Sequence, residues 1–346
     1  MREVTMKDIA KKAGVSYTTV SLTLNGKGDL YKIKKKTQDK IFRIAKELNY
    51  KGNIYASYLR KRRSNFVGIV GSTYNVPVRQ YRQNLIAEKL KRMGFDIIIQ
   101  DFHWRKDSYI SLIDEVLKFK PIGLIISEPD DLSLMYYLKD IKKWIPVILI
   151  DGPEYDGFDQ IRIDREKIPY IAVHHLWKSG YKNIYFTIPF TKVISYWAIK
   201  ERYMGFKRAF EEIFGKNNGI EKNMLWIDES IQNPYMIGYK IAEKYFEKFK
   251  KDTGIVALND QIAIGIMKNL LEKNKKIPEE IGIVGSENLP EGEFVIIPLT
   301  TISFSIDKLV DNVIEIFLKR INGDNKDVFK IKIKPEIIIR KSTERR

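Results

Sequence analysis

The sequence predicts an α + α/β protein: a small three-helix headpiece followed by two doubly wound α/β lobes. Three observations carry that expectation. Residues 4–48 place apolar side chains at helical spacing between cap and turn residues. From Phe66 onward, short apolar runs alternate with amphipathic stretches, the pattern of parallel sheets covered on both faces. Positive charge is concentrated at one end. Residues 1–65 hold 17 Lys and Arg against 5 Asp and Glu, whereas the other 281 residues hold 44 against 39. A basic module joined to a near-neutral one points to a polyanion as the partner of that module.

In the headpiece, Thr5 is a good N-cap and Asp8 stands at the capping-box distance. Ile9, Ala10 and Ala13 then share one helical face, and Gly14 ends the helix in a tight turn. Ser16 caps a second helix running to about Leu24, with Val20 and Leu24 on its buried side. Ala10, Gly14, Val15 and Val20 together form the helix-turn-helix pattern of a small residue, a turn glycine and apolar anchors. Tyr17, Thr18, Thr19 and Ser21 occupy the exposed start of the second helix, and their side chains suit base edges and phosphates. A third helix is predicted from about Lys35 to Leu48, with Ile41, Ala45 and Leu48 facing inward. The loop 26–32 is long, and Lys34, Lys35 and Lys36 sit where the helix dipole disfavours them unless phosphates are near.

Beyond Arg60–Arg63 the alternation begins. Strands are predicted at Phe66–Gly71, Asp96–Gln100, Gly123–Ser127 and Val147–Ile150, with helices at Tyr81–Met93 and Ser108–Phe119. A second set follows, with strands at Asn183–Ile188, Met224–Ile227, Gly254–Leu258 and Ile281–Gly285. Its helices are Pro169–Lys178, Ile199–Phe214, Pro234–Phe249 and Asp260–Leu271. Ligands bind at the carboxyl ends of such strands, so the cleft between the lobes is the default site.

The stretch TMKDIAKKAGVSYTTVSLTLN, followed by IAKELNYKGNIYASYL, resembles the headpiece of LacI-type transcriptional regulators. Later segments keep the family's order: IPVILID, GYKNIYF, RYMGFKRAF, ALNDQIAIGIM, PEEIGIVGSE, PLTTISFSID and PEIIIRKST. The resemblance implies a headpiece at 1–50, a hinge at 51–65 that folds into a helix on DNA, and an effector-binding and dimerisation domain at 66–346. The lobes would be like those of a periplasmic sugar-binding protein, with crossings near Arg165, Val295 and Asn325. Lobe 1 would then cover about 66–165 and 296–325, and lobe 2 about 166–295 and 326–346. The implied partners are double-stranded operator DNA, read as a homodimer, and a small effector, a sugar in most relatives and a nucleobase in some. The implied DNA-contacting set is Thr5, Ser16, Tyr17, Thr18, Thr19, Ser21 and Asn25, with Asn53, Ala56 and Leu59 in the hinge. A leucine at the position of Leu59 wedges between base pairs and kinks the duplex. The chain departs from the pattern at Gly52, where proline is usual, and at Leu22, where many relatives carry arginine.

Carried over residue by residue, the effector contacts are Tyr74, Arg79, Asp151, Arg202, Asn259 and Glu287. Arg79 stands near a position that is usually aromatic, which makes a more polar pocket or an acidic ligand group acceptable. Trp197 and Trp226 could stack on a ring or belong to the core. No cofactor or metal is expected. Cysteine is absent, which excludes disulfides and thiolate metal sites. His174 and His175 are adjacent and diverge on a helix, and no nucleotide loop or nucleophile elbow occurs, so an enzyme is not expected. No apolar run of about 18 residues and no secretory leader pattern is present, so the expectation is a cytoplasmic protein with no membrane partner.

Overall fold

The computed structural model describes residues 4–24, 28–48, 50, 65–73, 76–101, 109–129, 132–189, 196–216, 219–324 and 327–345. The chain divides into two units, Met1–Ser64 and Asn65–Arg346. The sequence-expected hinge at 51–64, with Asn53, Ala56 and Leu59, lies outside the described residues, as do Asn25, Tyr74 and Asn325.

The first unit has three helices, α1 Met6–Ala13, α2 Tyr17–Leu24 and α3 Lys35–Glu47. The Thr5 backbone N–H and hydroxyl both donate to Asp8, at 2.8 and 2.7 Å. Gly14 takes φ 67° and ψ 36°, and its N–H returns to the Ala10 carbonyl. That left-handed turn strains any residue with a Cβ. Ile9, Ala10, Ala13, Val20, Ile41, Ile44 and Ala45 form one core, and Lys12 ties α1 to Glu47 of α3 at 3.0 Å. Two inward faces differ from expectation. On α2, Val20 and Thr23 are buried and Leu24 only partly so, because the i, i+3 pair rather than i, i+4 meets the core. On α3, Leu48 is half-buried while Ile44 and Gln38 are buried. Gln38 donates to Asp29 and to the Ile33 carbonyl, both at 2.8 Å, which pins the long loop before α3.

The second unit carries two six-stranded sheets, both doubly wound. The first lobe contains β1 Phe66–Gly71, α4 Pro77–Arg92, β2 Asp96–Asp101, α5 Tyr109–Leu117, β3 Gly123–Ser127, α6 Leu132–Ile141, β4 Val147–Ile150 and β5 Asp159–Ile163. The chain then enters the second lobe through α7 Lys167–Lys178, β6 Asn183–Pro189, α8 Trp197–Phe214, β7 Met224–Ile227, α9 Pro234–Lys244, β8 Thr253–Val256, α10 Asp260–Glu272, β9 Ile281–Ser286, α11 Glu291–Phe294 and β10 Thr300–Ser303. It returns as α12 Ile306–Ile321 and β11 Lys330–Ile333, and ends in the second lobe with β12 Glu336–Ile338. The sheet orders are β11-β5-β4-β3-β1-β2 and β12-β10-β9-β8-β6-β7. All described pairings are parallel except β10 with β12. β3, β4, β8 and β9 are buried along their whole length, as strands covered on both faces must be.

The chain passes from the first lobe to the second between Ile163 and Lys167, around Arg165. The other two crossings fall later than the sequence indicated. β10 pairs with β9, so the second crossing lies after Ser303 rather than near Val295. β11 pairs with β5, so the third falls between Ile333 and Glu336 rather than near Asn325. Segment 296–303 therefore belongs with the second lobe and segment 327–333 with the first.

Candidate functional site

Two surfaces are built for recognition. On the headpiece, Ser16 Oγ accepts the Thr19 backbone N–H at 3.0 Å and meets the Thr19 hydroxyl at 2.8 Å. This caps α2, so Ser16 and Thr19 are occupied with each other. Tyr17 and Thr18 stand free of that pair on the exposed side, Tyr17 at 47% exposure. Ser21 lies one turn on and is partly buried. The first turn of α2 thus presents a phenol and a hydroxyl outward from a helix held by Val20 and Thr23. Thr5 is spent on the α1 cap.

The second surface is the cleft between the lobes, where the carboxyl ends of both sheets meet. The backbone itself marks it. Glu128 after β3, Asp151 after β4, and Glu287 and Asn288 after β9 all have positive φ, at 49°, 59°, 110° and 54°. L-residues in that region cost of order 1 kcal/mol or more and cluster at functional sites. A cavity of about 450 Å³ opens between the lobes, lined by Thr73, Val76, Pro77 and Gln80 of one and Gln232, Asn233, Tyr235 and Gln261 of the other, and by none of the sequence-expected effector residues among those described.

Asp151 is fully buried, and its carboxylate is occupied. Oδ1 accepts the Ile163 N–H at 3.0 Å and Oδ2 accepts Arg165 at 2.7 Å, with Arg82 3.7 Å away. It clamps the first crossing. Arg82 donates to Glu128 at 2.7 Å, and Arg79 lies 3.4 Å from the same carboxylate. Arg79 also reaches across the cleft to the Tyr196 hydroxyl at 3.3 Å, a contact between the lobes. Arg82, Glu128, Arg165 and Tyr196 were not singled out from the sequence as contacts. Glu128 carried a usable signal, since it ends an apolar strand as Asp151 does.

Arg202 is held by α8. Gly205, one turn on, lies so close to α7 that an added Cβ would stand 1.9 Å from the Glu166 carbonyl oxygen. This close approach seats α8 and aims Arg202 at the Leu258 carbonyl, to which its Nη1 donates. Ser286 donates to the same carbonyl at 2.8 Å. Among the described residues no carboxylate forms an ion pair with Arg202, and its buried Nε has no acceptor. Burial, with Arg165 nearby, pulls its pKa down to about 10. Such an unmet buried donor costs about 1–3 kcal/mol. Asn259 caps α10 through Oδ1, 2.9 Å from the Ile262 N–H, which leaves its amide NH2 for other partners. Burial pushes the Glu287 carboxyl up to about 7 against the opposing pull of Arg202. Burial likewise raises the neighbouring Asp260 to about 7, although Thr301 and the Leu289 N–H donate to it. Trp197 lies under two guanidinium groups, Arg165 at 5.1 Å and Arg162 at 5.8 Å from the ring centre. Trp226 packs against the core.

The lacI family of bacterial regulatory proteins matches residues 5–53, so the headpiece is similar to that family. A periplasmic binding protein-like domain matches residues 173–343. Among curated relatives, the HTH-type transcriptional repressor PurR of Histophilus somni (strain 2336) is 28% identical over 345 residues, 98% of this chain and 99% of the relative. The repressor of the same name from Haemophilus influenzae (strain KW20 / Rd) is 28% identical over 98% of each chain. The lac repressor dimer bound to operator and the anti-inducer ONPF has the same fold, with TM-score 0.78 at 21% identity over 99% of both chains. A LacI-family regulator from Silicibacter pomeroyi gives TM-score 0.79 at 23% identity, covering 99% of this chain and all of the other. The chain thus has the architecture of a LacI-type DNA-binding transcriptional regulator, a helix-turn-helix headpiece with two periplasmic-binding-protein-like lobes. No helix among the described residues is long and apolar enough to cross a membrane.

Proposed function

We propose that this chain is a repressor whose hold on a pseudo-palindromic operator is set by a small hydroxylated metabolite, a sugar or sugar derivative, in the cleft between the lobes. The observation that carries the reading is the Arg79–Tyr196 contact. It joins the lobes directly beside Glu128, Arg202 and Glu287, so a ligand entering there alters how the lobes close. Two headpieces on a dimer read two half-sites with Tyr17 and Thr18, while Thr5, Ser16, Thr19, Ser21 and Asn25 position the helices and Asn53, Ala56 and Leu59 engage the hinge step. Closure changes the spacing of the hinges. A coupling of about 1–3 kcal/mol alters operator affinity about 5–150-fold.

In the cleft, Arg202, Asn259, Glu287 and Arg79 are the side chains with capacity left for a ligand, and Asp151 acts from behind through Arg165; Tyr74 lies outside the described residues. A nucleobase is the second reading. It is favoured by the curated relatives, which are repressors named PurR and align over nearly the whole chain. The test is selection of bound duplexes from a random library by the full chain, followed by competition with sugars and nucleobases. A recovered palindrome whose affinity shifts with a sugar supports the first reading, and a shift with a base alone supports the second. Recovery of no preferred sequence would defeat both.

A further inference from the structure

The charges lining the cleft do not cancel, and the imbalance names the ligand. Arg82 is paired with Glu128 and Arg165 with Asp151, each at 2.7 Å, and Arg162 is paired with Glu201. Three guanidinium groups are thereby matched by three carboxylates. Arg79 has only a share of Glu128, already taken by Arg82. Arg202, 7% exposed, has no ion-pair partner among the described residues. The remaining nearby acid, Glu287, is pushed by burial toward its neutral form. Arg79 and Arg202, one on each lobe, therefore have no carboxylate of their own among the described residues.

The hydrogen-bond inventory agrees. Arg202 Nε, Arg165 Nε and Trp197 Nε1 are buried donors without an acceptor among the described residues. They are neighbours, because Arg165 stacks on the Trp197 ring and presses on the Arg202 charge. On the opposite wall, Glu128 Oε2 and Gln83 Oε1 are buried acceptors without a donor, beside the unpartnered donor Arg82 Nε, while Glu201 Oε2 is an unpartnered acceptor on the side of Arg165. A neutral hydroxyl could accept from the three donors, but it would leave the buried Arg202 without an ion pair, Glu287 and Asp151 acting on it only from a distance. An anionic group removes both deficits at once.

We propose that the effector carries an anionic head, a phosphate monoester or a carboxylate, seated against Arg202, Arg165 and the Trp197 N–H. Arg79 closes over it from the first lobe, and hydroxyl or amino groups of the same molecule donate to Glu128 and Gln83. This rests on the reading of the cleft as the effector site and specifies its ligand class.

The experiment is a thermal-shift comparison of the full chain with matched pairs, ribose against ribose 5-phosphate, glucose against glucose 6-phosphate and gluconate, and adenosine against adenosine monophosphate, with inorganic phosphate as the bare head group. An anionic member should raise the melting temperature where its neutral counterpart does not, and phosphate against gluconate separates the two head groups. Calorimetry of Arg202→Gln should then show at least about tenfold weaker binding of that anion, as expected for losing a charge-assisted contact, with no fall in melting temperature of the free chain. If Arg202→Gln does not fold, Arg79→Gln on the more open side of the cleft should weaken the same anion. Neutral members binding as well as their anions, or no stabilisation by any anion, would overturn the proposal. So would full affinity in a folded Arg202→Gln chain. If such a chain still selects an operator sequence, the anion is wrong and the regulator reading stands. Failure to select any DNA strikes the regulator reading instead.

Discussion

On the first lobe's wall of the cleft, Arg82 donates to Glu128 at 2.7 Å, and at the first crossing Arg165 donates to Asp151 at the same distance. On the second lobe's wall, Arg202 has one backbone carbonyl and Glu287 has no ion-pair partner among the described residues. Both walls hold arginines and acids, yet the first pairs its arginines with carboxylates, Arg79 by sharing Glu128, and the second leaves Arg202 without an ion pair among the described residues. Matched buried charges hold a shape, since removing one partner strands the other. Unmatched ones wait for a partner from outside. On the proposed reading the first wall is scaffold, with Arg79 reaching across to Tyr196, and the second wall reads the ligand.

The largest expected effect breaks the matched wall. Arg82→Ala leaves the buried Glu128 carboxylate with only the longer Arg79 contact and should cost about 3–5 kcal/mol of stability in urea unfolding of the full chain. A loss under about 1 kcal/mol would show that Arg79 suffices to neutralise it, and the scaffold role would fall. Arg202→Ala should behave in the opposite way. Stability should hold or rise, because a buried unpaired cation is removed, while ligand affinity drops by about 1–3 kcal/mol in calorimetry. Stability falling alongside affinity would make Arg202 a packing residue.

The headpiece sharpens the contrast, since it too separates scaffold from reader. Replacing Tyr17 and Thr18 together with alanine should weaken operator binding by about 1–3 kcal/mol and leave non-specific binding nearly unchanged, measured by anisotropy on operator and scrambled duplexes. Equal losses on both duplexes would make these residues phosphate contacts. The smallest effect concerns protons. Glu287 and Asp260 have folded pKa values raised to about 7, above their unfolded values near 4. The folded chain therefore binds more protons between about pH 4 and pH 7, and the contribution of both groups to stability declines as pH rises through that window. Glu287→Gln should flatten the fall of melting temperature between about pH 5 and pH 7.5. An unchanged slope would place Glu287 in contact with solvent.

Much of this architecture was legible in the sequence, and the exceptions have physical causes. The capping box at Thr5 and Asp8, the turn at Gly14 and the apolar strands β3 and β9 announce themselves through local chemistry. β5, DQIRI, does not, because its polar residues are buried by distant partners. Arg320 takes Asp159 with two donors at 2.7 Å, and Gln160 donates to the Asp151 and Pro153 carbonyls at 2.7 Å. α6, LSLMYYLKDI, mixes two tyrosines into an apolar run too short for a clear period. The later crossings were misplaced because β10 and β11 declare their lobe only by strand pairing, a long-range choice. In the cleft, Arg202 followed from its motif, but its lack of a counter-charge depends on where four other arginines find theirs.

The account rests on a ligand in the cleft changing the grip on DNA, and one titration tests that directly. The full chain is bound to its selected operator duplex, and fluorescence anisotropy is followed as the ligand found by thermal shift is added, for the unaltered chain and for Arg202→Gln. The operator affinity of the unaltered chain should change about 5–150-fold at saturation, and Arg202→Gln should reach the same end point only at higher ligand concentration. A bound ligand that leaves operator affinity unchanged, or an Arg202→Gln response at the same ligand concentration, would contradict it.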